Sequence, residues 1–168
     1  MTPQEVADRL EITEQIYRYC RSVDRLDVAL GHAVFHPDSY ADFSLYKGSG
    51  RGWIDYICEE HRKFLHHSHQ VTNIVIDLAG DRAGSEAYVT ATLRFHDGER
   101  LMQRQFWARY VDAWSRRDGQ WAVDRRECVI DFDALSEVTP IGAHERSRRD
   151  AADPSYAVLQ PVLREPAP

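Results

Sequence analysis

Apolar residues Val6, Leu10, Ile12, Ile16, Tyr19, Cys20 and Val23 recur mostly at three- and four-residue intervals, the stripe of an amphipathic helix over residues 3–23 that ends near Asp24. A second short helix follows in LDVALGHAVF and is stopped by Pro37. Asp38 to Tyr46 reads as a short strand closed by a Lys47-Gly48 turn. Ser49 to Phe64 returns to a helical period, with Trp53, Ile54, Ile57, His61 and Phe64 on one face and Ser49 placed to cap the first turn. Beyond His66 the period falls to two. Four strand-like runs start near His69, Ser85, Met102 and Gln120, joined at Asp81, Asp97-Gly98 and Asp118-Gly119, the last in SRRDGQW being the clearest hairpin signal in the chain. After Phe132 the pattern fades into a polar tail carrying Pro140, Pro154, Pro161, Pro166 and Pro168, suited to lying over a surface. Helix, helix, strand, helix and then a meander of antiparallel strands predicts an α+β fold, its helices packed on one face of a curved sheet that can enclose a pocket.

At 168 residues the chain fits one domain that buries roughly 70% of its unfolded surface, enough for a core and a pocket. Its 43% hydrophobic, 11% aromatic and 29% charged residues are those of a globular protein. The net charge of -6 argues against a nucleic-acid partner, since phosphate binding needs surplus Lys and Arg on one face, and the Arg116-Arg117, Arg125-Arg126 and Arg148-Arg149 pairs are scattered among acids. No apolar run is long enough for a membrane helix and MTPQEVADRL lacks the features of a signal peptide, so no membrane partner and a cytoplasmic location are expected. Cys20, Cys58 and Cys128 are too few and too scattered for a disulfide framework and read as buried thiols.

Gly48, Gly50 and Gly52 in KGSGRGW lack the spacing of a phosphate loop, and no G-x-S-x-G nucleophile elbow occurs. His66, His67 and His69 cluster in LHHSHQ with His67 and His69 on one strand face. No carboxylate or cysteine sits beside them in sequence, so no metal site is expected. What remains is acid/base chemistry, for which histidine is the natural agent. Of the eight histidines, His32, His36, His96 and His144 fall in or beside loops and read as solvated, and His61 sits on a helix stripe as a core or pocket residue. His69 opens the first strand of the meander, where a side chain can face the mouth of a sheet-built cavity. Asp24 lies one residue past the apolar stripe of the first helix. From pattern alone it is either a site residue or a helix-junction carboxylate facing water.

YRYCRSVDRLD ending the first helix, HSHQVTNIVIDL from His67 and WSRRDGQWAVDRRE from Trp114 resemble the SnoaL-like branch of the nuclear transport factor 2 superfamily over residues 5 to 133. Within it the chain looks most like the group of hexachlorocyclohexane dehydrochlorinase, scytalone dehydratase and bile-acid 7α-dehydratase. The resemblance implies a cone-shaped domain over residues 1–134, with residues 135–168 an extension packing on that domain or on a neighbouring subunit. It also implies that Asp24 and His69 form an acid/base pair inside the cone. Tyr19 matches a site tyrosine of the bile-acid enzyme and Arg126 a site arginine of the dehydrochlorinase. The strand parity of Ala122, Cys128, Ile130 and Phe132 agrees with an inward Arg126. Where a further site aspartate of the bile-acid enzyme would fall, this chain has Ala91 in AYVTATLRF.

The implied chemistry is a cofactor-independent elimination. Asp24 orients His69, His69 takes a proton from carbon, and Tyr19 or Arg126 steadies the departing group. Tyr46, Trp53, Tyr88 and Tyr110 are expected in the wall of a pocket for a small hydrophobic substrate. The scaffold also serves as polyketide cyclase, isomerase and the non-catalytic small subunit of ring-hydroxylating dioxygenases, so these remain alternatives. Relatives associate through the open sheet face, so a homo-oligomer, trimer or dimer, is expected, with the tail free to cross to a neighbour.

Overall fold

A computed structural model of the chain describes residues 1–142 and 146–164, with side chains up to Leu159; His144 and the last prolines lie outside the described residues. The first helix, α1, spans Pro3–Arg25. It starts on a capping box between Thr2 and Glu5, with Pro3 in the first turn, and ends where Leu26 turns left-handed at φ 55°. Ile12, Ile16, Tyr19, Cys20 and Val23 of the stripe the sequence marks are buried, while Val6 and Leu10, in the first turns, are exposed. A short helix α2, Val28–Val34, capped by the Asp27 carboxylate, leads into strand β1, Phe35–Asp42. The strand thus begins before Pro37 rather than after it. The ladder to its neighbour is irregular between Phe35 and Tyr40, which is where a strand tolerates a residue without an N–H. Lys47–Ser49, expected in part as a turn, is instead a short strand β2 paired antiparallel with Tyr40–Asp42.

Helix α3, Gly50–His61, is capped as expected by Ser49, whose hydroxyl accepts from the Gly52 N–H. It buries Trp53, Ile54, Cys58 and His61. Four long strands follow: β3 (His66–Ala79), β4 (Arg82–Asp97), β5 (Arg100–Arg117) and β6 (Gln120–Glu137). The β5–β6 hairpin turns on Asp118 and Gly119 at φ 51° and 79°, the two positive angles of a type I′ turn. The six strands form one sheet in the order β2-β1-β6-β5-β4-β3, antiparallel except where β1 runs parallel to β6. The result is the α+β cone: helices against the concave face of a curved, open sheet with β3 at its free edge.

The core lies between the helices and that concave face. Ile12, Ile16 and Val23 from α1 meet Trp53 and Ile54 from α3 and Ala87, Val89, Tyr110, Trp114 and Trp121 from the sheet, all buried. Each fully buried large apolar side chain contributes about 1.5–3 kcal/mol. Polar ties set the angle of α1. Near its start the buried Asp8 carboxylate accepts from the Trp121 indole at 3.0 Å and from Arg116 at 2.8 Å. Near its end it is bonded to β3.

Strand β6 continues to Glu137, past the boundary expected at residue 134. The following segment, marked in the sequence only as a polar tail, includes a helix α4, Pro154–Arg164. It packs on its own chain: Ser155 accepts from Arg21, Tyr156 donates to Asp27, and Asp153 lies 3.5 Å from Arg25. Among the described residues no helix is long and apolar enough to cross a membrane.

Candidate active site

Asp24 and His69 are brought together by α1 and β3. Helix α1 delivers Asp24 at its last turn, and the start of β3 runs alongside. Alternation along β3 turns His67, His69 and Val71 toward the helices, and His66, Ser68 and Gln70 away. His69 Nδ1 lies 2.7 Å from Asp24 Oδ1, and the His69 backbone N–H donates to Asp24 Oδ2 at 3.0 Å. One residue therefore engages both carboxylate oxygens. An ionised carboxylate only accepts, so Nδ1 carries the hydrogen and Nε2 keeps its lone pair. The side chains are 9% and 15% exposed, sheltered yet reachable.

Both open onto a cleft of about 260 Å³ lined by Tyr17, Cys20, Arg21, Asp24, Arg25, His69 and Val71. Across the sheet, His69 stands in register with Ala91 on β4 and Ala91 with Phe106 on β5, a row on the concave face. The position where a relative carries an aspartate is thus the cross-strand neighbour of His69, and here it bears only a methyl group.

None of the six residues expected around the substrate lines this cleft. Tyr19, Trp53, Tyr110 and Arg126 are brought together, but in the sealed core. The Trp53 indole donates to the Tyr19 hydroxyl at 2.9 Å, and Tyr110 stands edge-on to Tyr19 with centroids 5.2 Å apart. Arg126 is inward, as expected, and 0% exposed, but only Cys128 and Ile130 of its parity set share its face, because bulges on either side turn Ala122 and Phe132 to the other. Its guanidinium is clamped by Asp112 through two bonds of 2.7 and 2.6 Å and lies 4.2 and 4.5 Å from the centres of the Tyr19 and Tyr110 rings. Burial opposes its charge, but the Asp112 carboxylate outweighs burial and holds the guanidinium's pKa above its ordinary value. Burial likewise raises both tyrosines above theirs. Tyr46 donates to the Ser49 carbonyl and packs on Trp53 and Tyr56, away from the dyad.

Tyr88 is a correction. Alternation buries Ala87 and Val89 and leaves Tyr88 43% exposed on the convex face. The apolar parity of Ala87, Val89, Ala91 and Leu93 carried that signal in the sequence.

Arg21 and Arg25, which border the cleft, were not singled out from the sequence; His61, read as a core or pocket residue, and His67, read as sharing a strand face with His69, stand behind His69. Their signals were faint: Arg21 sits one turn before the dyad carboxylate, and His67 shares the strand parity of His69. Among the described residues no three His, Cys, Asp or Glu side chains converge as ligands for a metal ion.

Solved structures with the same architecture include a candidate scytalone dehydratase from Novosphingobium aromaticivorans, 22% identical over 86% of this chain and 99% of that one, with TM-score 0.71. They also include hexachlorocyclohexane dehydrochlorinase LinA-type3 from Novosphingobium barchaimii, 14% identical over 83% and 96% of the two chains, with TM-score 0.69. A candidate aromatic ring hydroxylase from Novosphingobium aromaticivorans is 25% identical over 82% and 96%, also with TM-score 0.69. No curated protein matches the chain. The SnoaL-like domain family matches residues 4–127, which contain α1, the dyad and the sheet up to the middle of β6; the chain belongs to this family.

Proposed function

We propose that the chain is a cofactor-independent lyase that eliminates water, halide or a similar fragment from a small hydrophobic, aromatic or alicyclic molecule. The observation that carries this reading is the 2.7 Å contact between His69 Nδ1 and Asp24 Oδ1 beside the cleft that both line, a pairing in which the neutral imidazole keeps its lone pair on Nε2. His69 is the general base and Asp24 steadies the imidazolium that forms. The C–H bond breaks toward Nε2, its electron pair becomes the new C=C bond, and the C–X bond breaks with its pair leaving on X. Halide departs as the anion; hydroxide takes the proton back from the imidazolium and leaves as water. Arg21 and Arg25 border the cleft and are the cations that receive the developing negative charge, a role the sequence resemblance would give to Tyr19 or Arg126. The names of two structural neighbours, a dehydrochlorinase and a candidate dehydratase, agree with elimination.

The test compares intact protein with His69→Ala and Asp24→Asn on a panel of hydroxylated and halogenated aromatic and alicyclic compounds. Turnover falls by about 10²- to 10⁴-fold in His69→Ala. Unchanged rates in both variants exclude the dyad. A second reading, a non-catalytic subunit, is favoured by the exposed apolar side chains of the convex sheet face and corresponds to no turnover by the intact protein on any member of the panel.

A further inference from the structure

Two histidines behind the dyad take no part in the proposed chemistry. His61 on α3 and His67 on β3 are 6% and 8% exposed, with ring centres 4.6 Å apart. The His61 ring lies nearly parallel to that of His69, 5.9 Å away. His67 Nε2 stands 2.8 Å from the Val23 carbonyl oxygen. A carbonyl only accepts, so Nε2 carries the hydrogen and Nδ1 is the lone pair. Arg149, from the segment before α4, faces that Nδ1 at 3.4 Å and donates to the His61 carbonyl at 2.8 Å. Burial brings His67 down to about 4 and His61 to about 2, so both rings are neutral at pH 7.

Val23 O is among the last carbonyls of α1, which a helix leaves short of partners; the Leu26 N–H reaches it only at 3.3 Å. The His67 imidazole supplies the missing donor from outside the helix. One residue further along α1 and two further along β3, Asp24 receives the His69 N–H and Nδ1–H. Three hydrogen bonds thus stand side by side between the same two elements. Two of them build the dyad, and the third holds the elements at the spacing those two need.

We propose that His67 is a positioning residue for the dyad: its Nε2–H caps Val23 and fixes the end of α1 against β3, so that both Asp24 oxygens stay on His69. The inference rests on the lyase reading, in which His69 is the base. The chemistry explains the choice of histidine. A buried carbonyl needs a donor, and that donor must be uncharged, because Arg149 and the imidazolium formed on His69 stand beside it. Leucine has no donor. Glutamine can place an amide N–H where Nε2 stands, and asparagine falls short of it.

The test follows the His69 Nδ1–H proton by NMR in the full chain at neutral pH, where a hydrogen bond to a carboxylate gives a downfield resonance. That resonance is expected in the wild type and in His67→Gln, and is expected to be lost to exchange in His67→Leu and His67→Asn. Its persistence in His67→Leu, its loss in His67→Gln or its absence from the wild type overturns the proposal. If His67→Leu does not fold, the glutamine and asparagine variants decide between donor and mere bulk. No substrate is needed, so the proposal and the lyase reading fail separately: absence of turnover with the expected spectra sinks only the second. With an active substrate, His67→Leu lowers kcat by about 10²-fold at little cost in KM, while glutamine restores it. An unchanged kcat in His67→Leu overturns the positioning role and leaves the lyase reading standing.

Discussion

Arg126 and Asp112 form the most enclosed ion pair among the described residues, with both side chains 0% exposed. Removing one partner leaves a buried charge without compensation. Asp112→Ala is therefore expected to cost about 3–5 kcal/mol in urea unfolding, whereas the double change Arg126→Met with Asp112→Leu costs much less. A double variant as unstable as the single one contradicts this account of the pair. His61 and His67 set a second residue-level expectation. Burial depresses both, to about 2 and about 4, below the unfolded value near 6.5. Above about pH 6.5 neither folded nor unfolded state binds the proton, and the two residues add no pH dependence. Below it the unfolded chain takes up protons that the folded chain refuses, so stability is lost as pH falls from about 6.5 toward the folded values. Each contributes a loss on the order of 1–2 kcal/mol by pH 5. Melting temperatures measured between pH 7 and pH 5 fall less steeply in His67→Gln than in the wild type if this is correct.

At the level of elements, the site depends on how α1 and α3 seat on the sheet. The first residue of α3 is a glycine, Gly50, where a Cβ would overlap the Phe35 ring and stand 2.6 Å from the Ser39 hydroxyl. Gly50→Ala pushes α3 off β1 and is expected to lower stability by about 1–3 kcal/mol, read as an earlier urea midpoint with an unchanged slope. The periodicity of α1 and of the four long strands was plain in the sequence, as were the Ser49 cap and the Asp118-Gly119 turn. The start of β1 was misplaced because Pro37 reads locally as a stop; the ladder accommodates it with an irregularity that only the parallel partner β6 reveals. The pairing of Asp112 with Arg126 was hidden for a similar reason. Register counted from the turn pairs Trp114 with Val123, but a bulge follows, so Ala113 pairs with Arg125 and Asp112 comes opposite Arg126.

On the scale of the whole molecule, the convex face of the sheet carries Val75, Tyr88, Val111 and Val129, exposed between 36% and 62%, with Trp107 stacked on Phe132 at 4.8 Å. Arg109 binds Asp131 and Glu86 among them, a mixed apolar and ion-paired surface. A face of this kind is suited to a second copy of the chain, and the expected state in solution is a homo-oligomer joined through it. Light scattering on the wild type and on Val111→Glu measures this directly: the variant dissociates while keeping its circular dichroism. A monomeric wild type removes the expectation.

The sequence by itself determined the elements, their order and most of the inward and outward alternation, because these follow from periods of 3.6 and 2 and from turn chemistry within a few residues. It also singled out Asp24 and His69 through resemblance. Only the tertiary structure decided that the two meet, since they are far apart in the chain and the contact depends on where α1 ends against β3. It likewise decided that Arg126 belongs to Asp112, and that His67, one histidine among eight, caps the helix that carries the carboxylate. Each is a pairing between distant segments, set by strand register and helix seating, which local pattern does not encode.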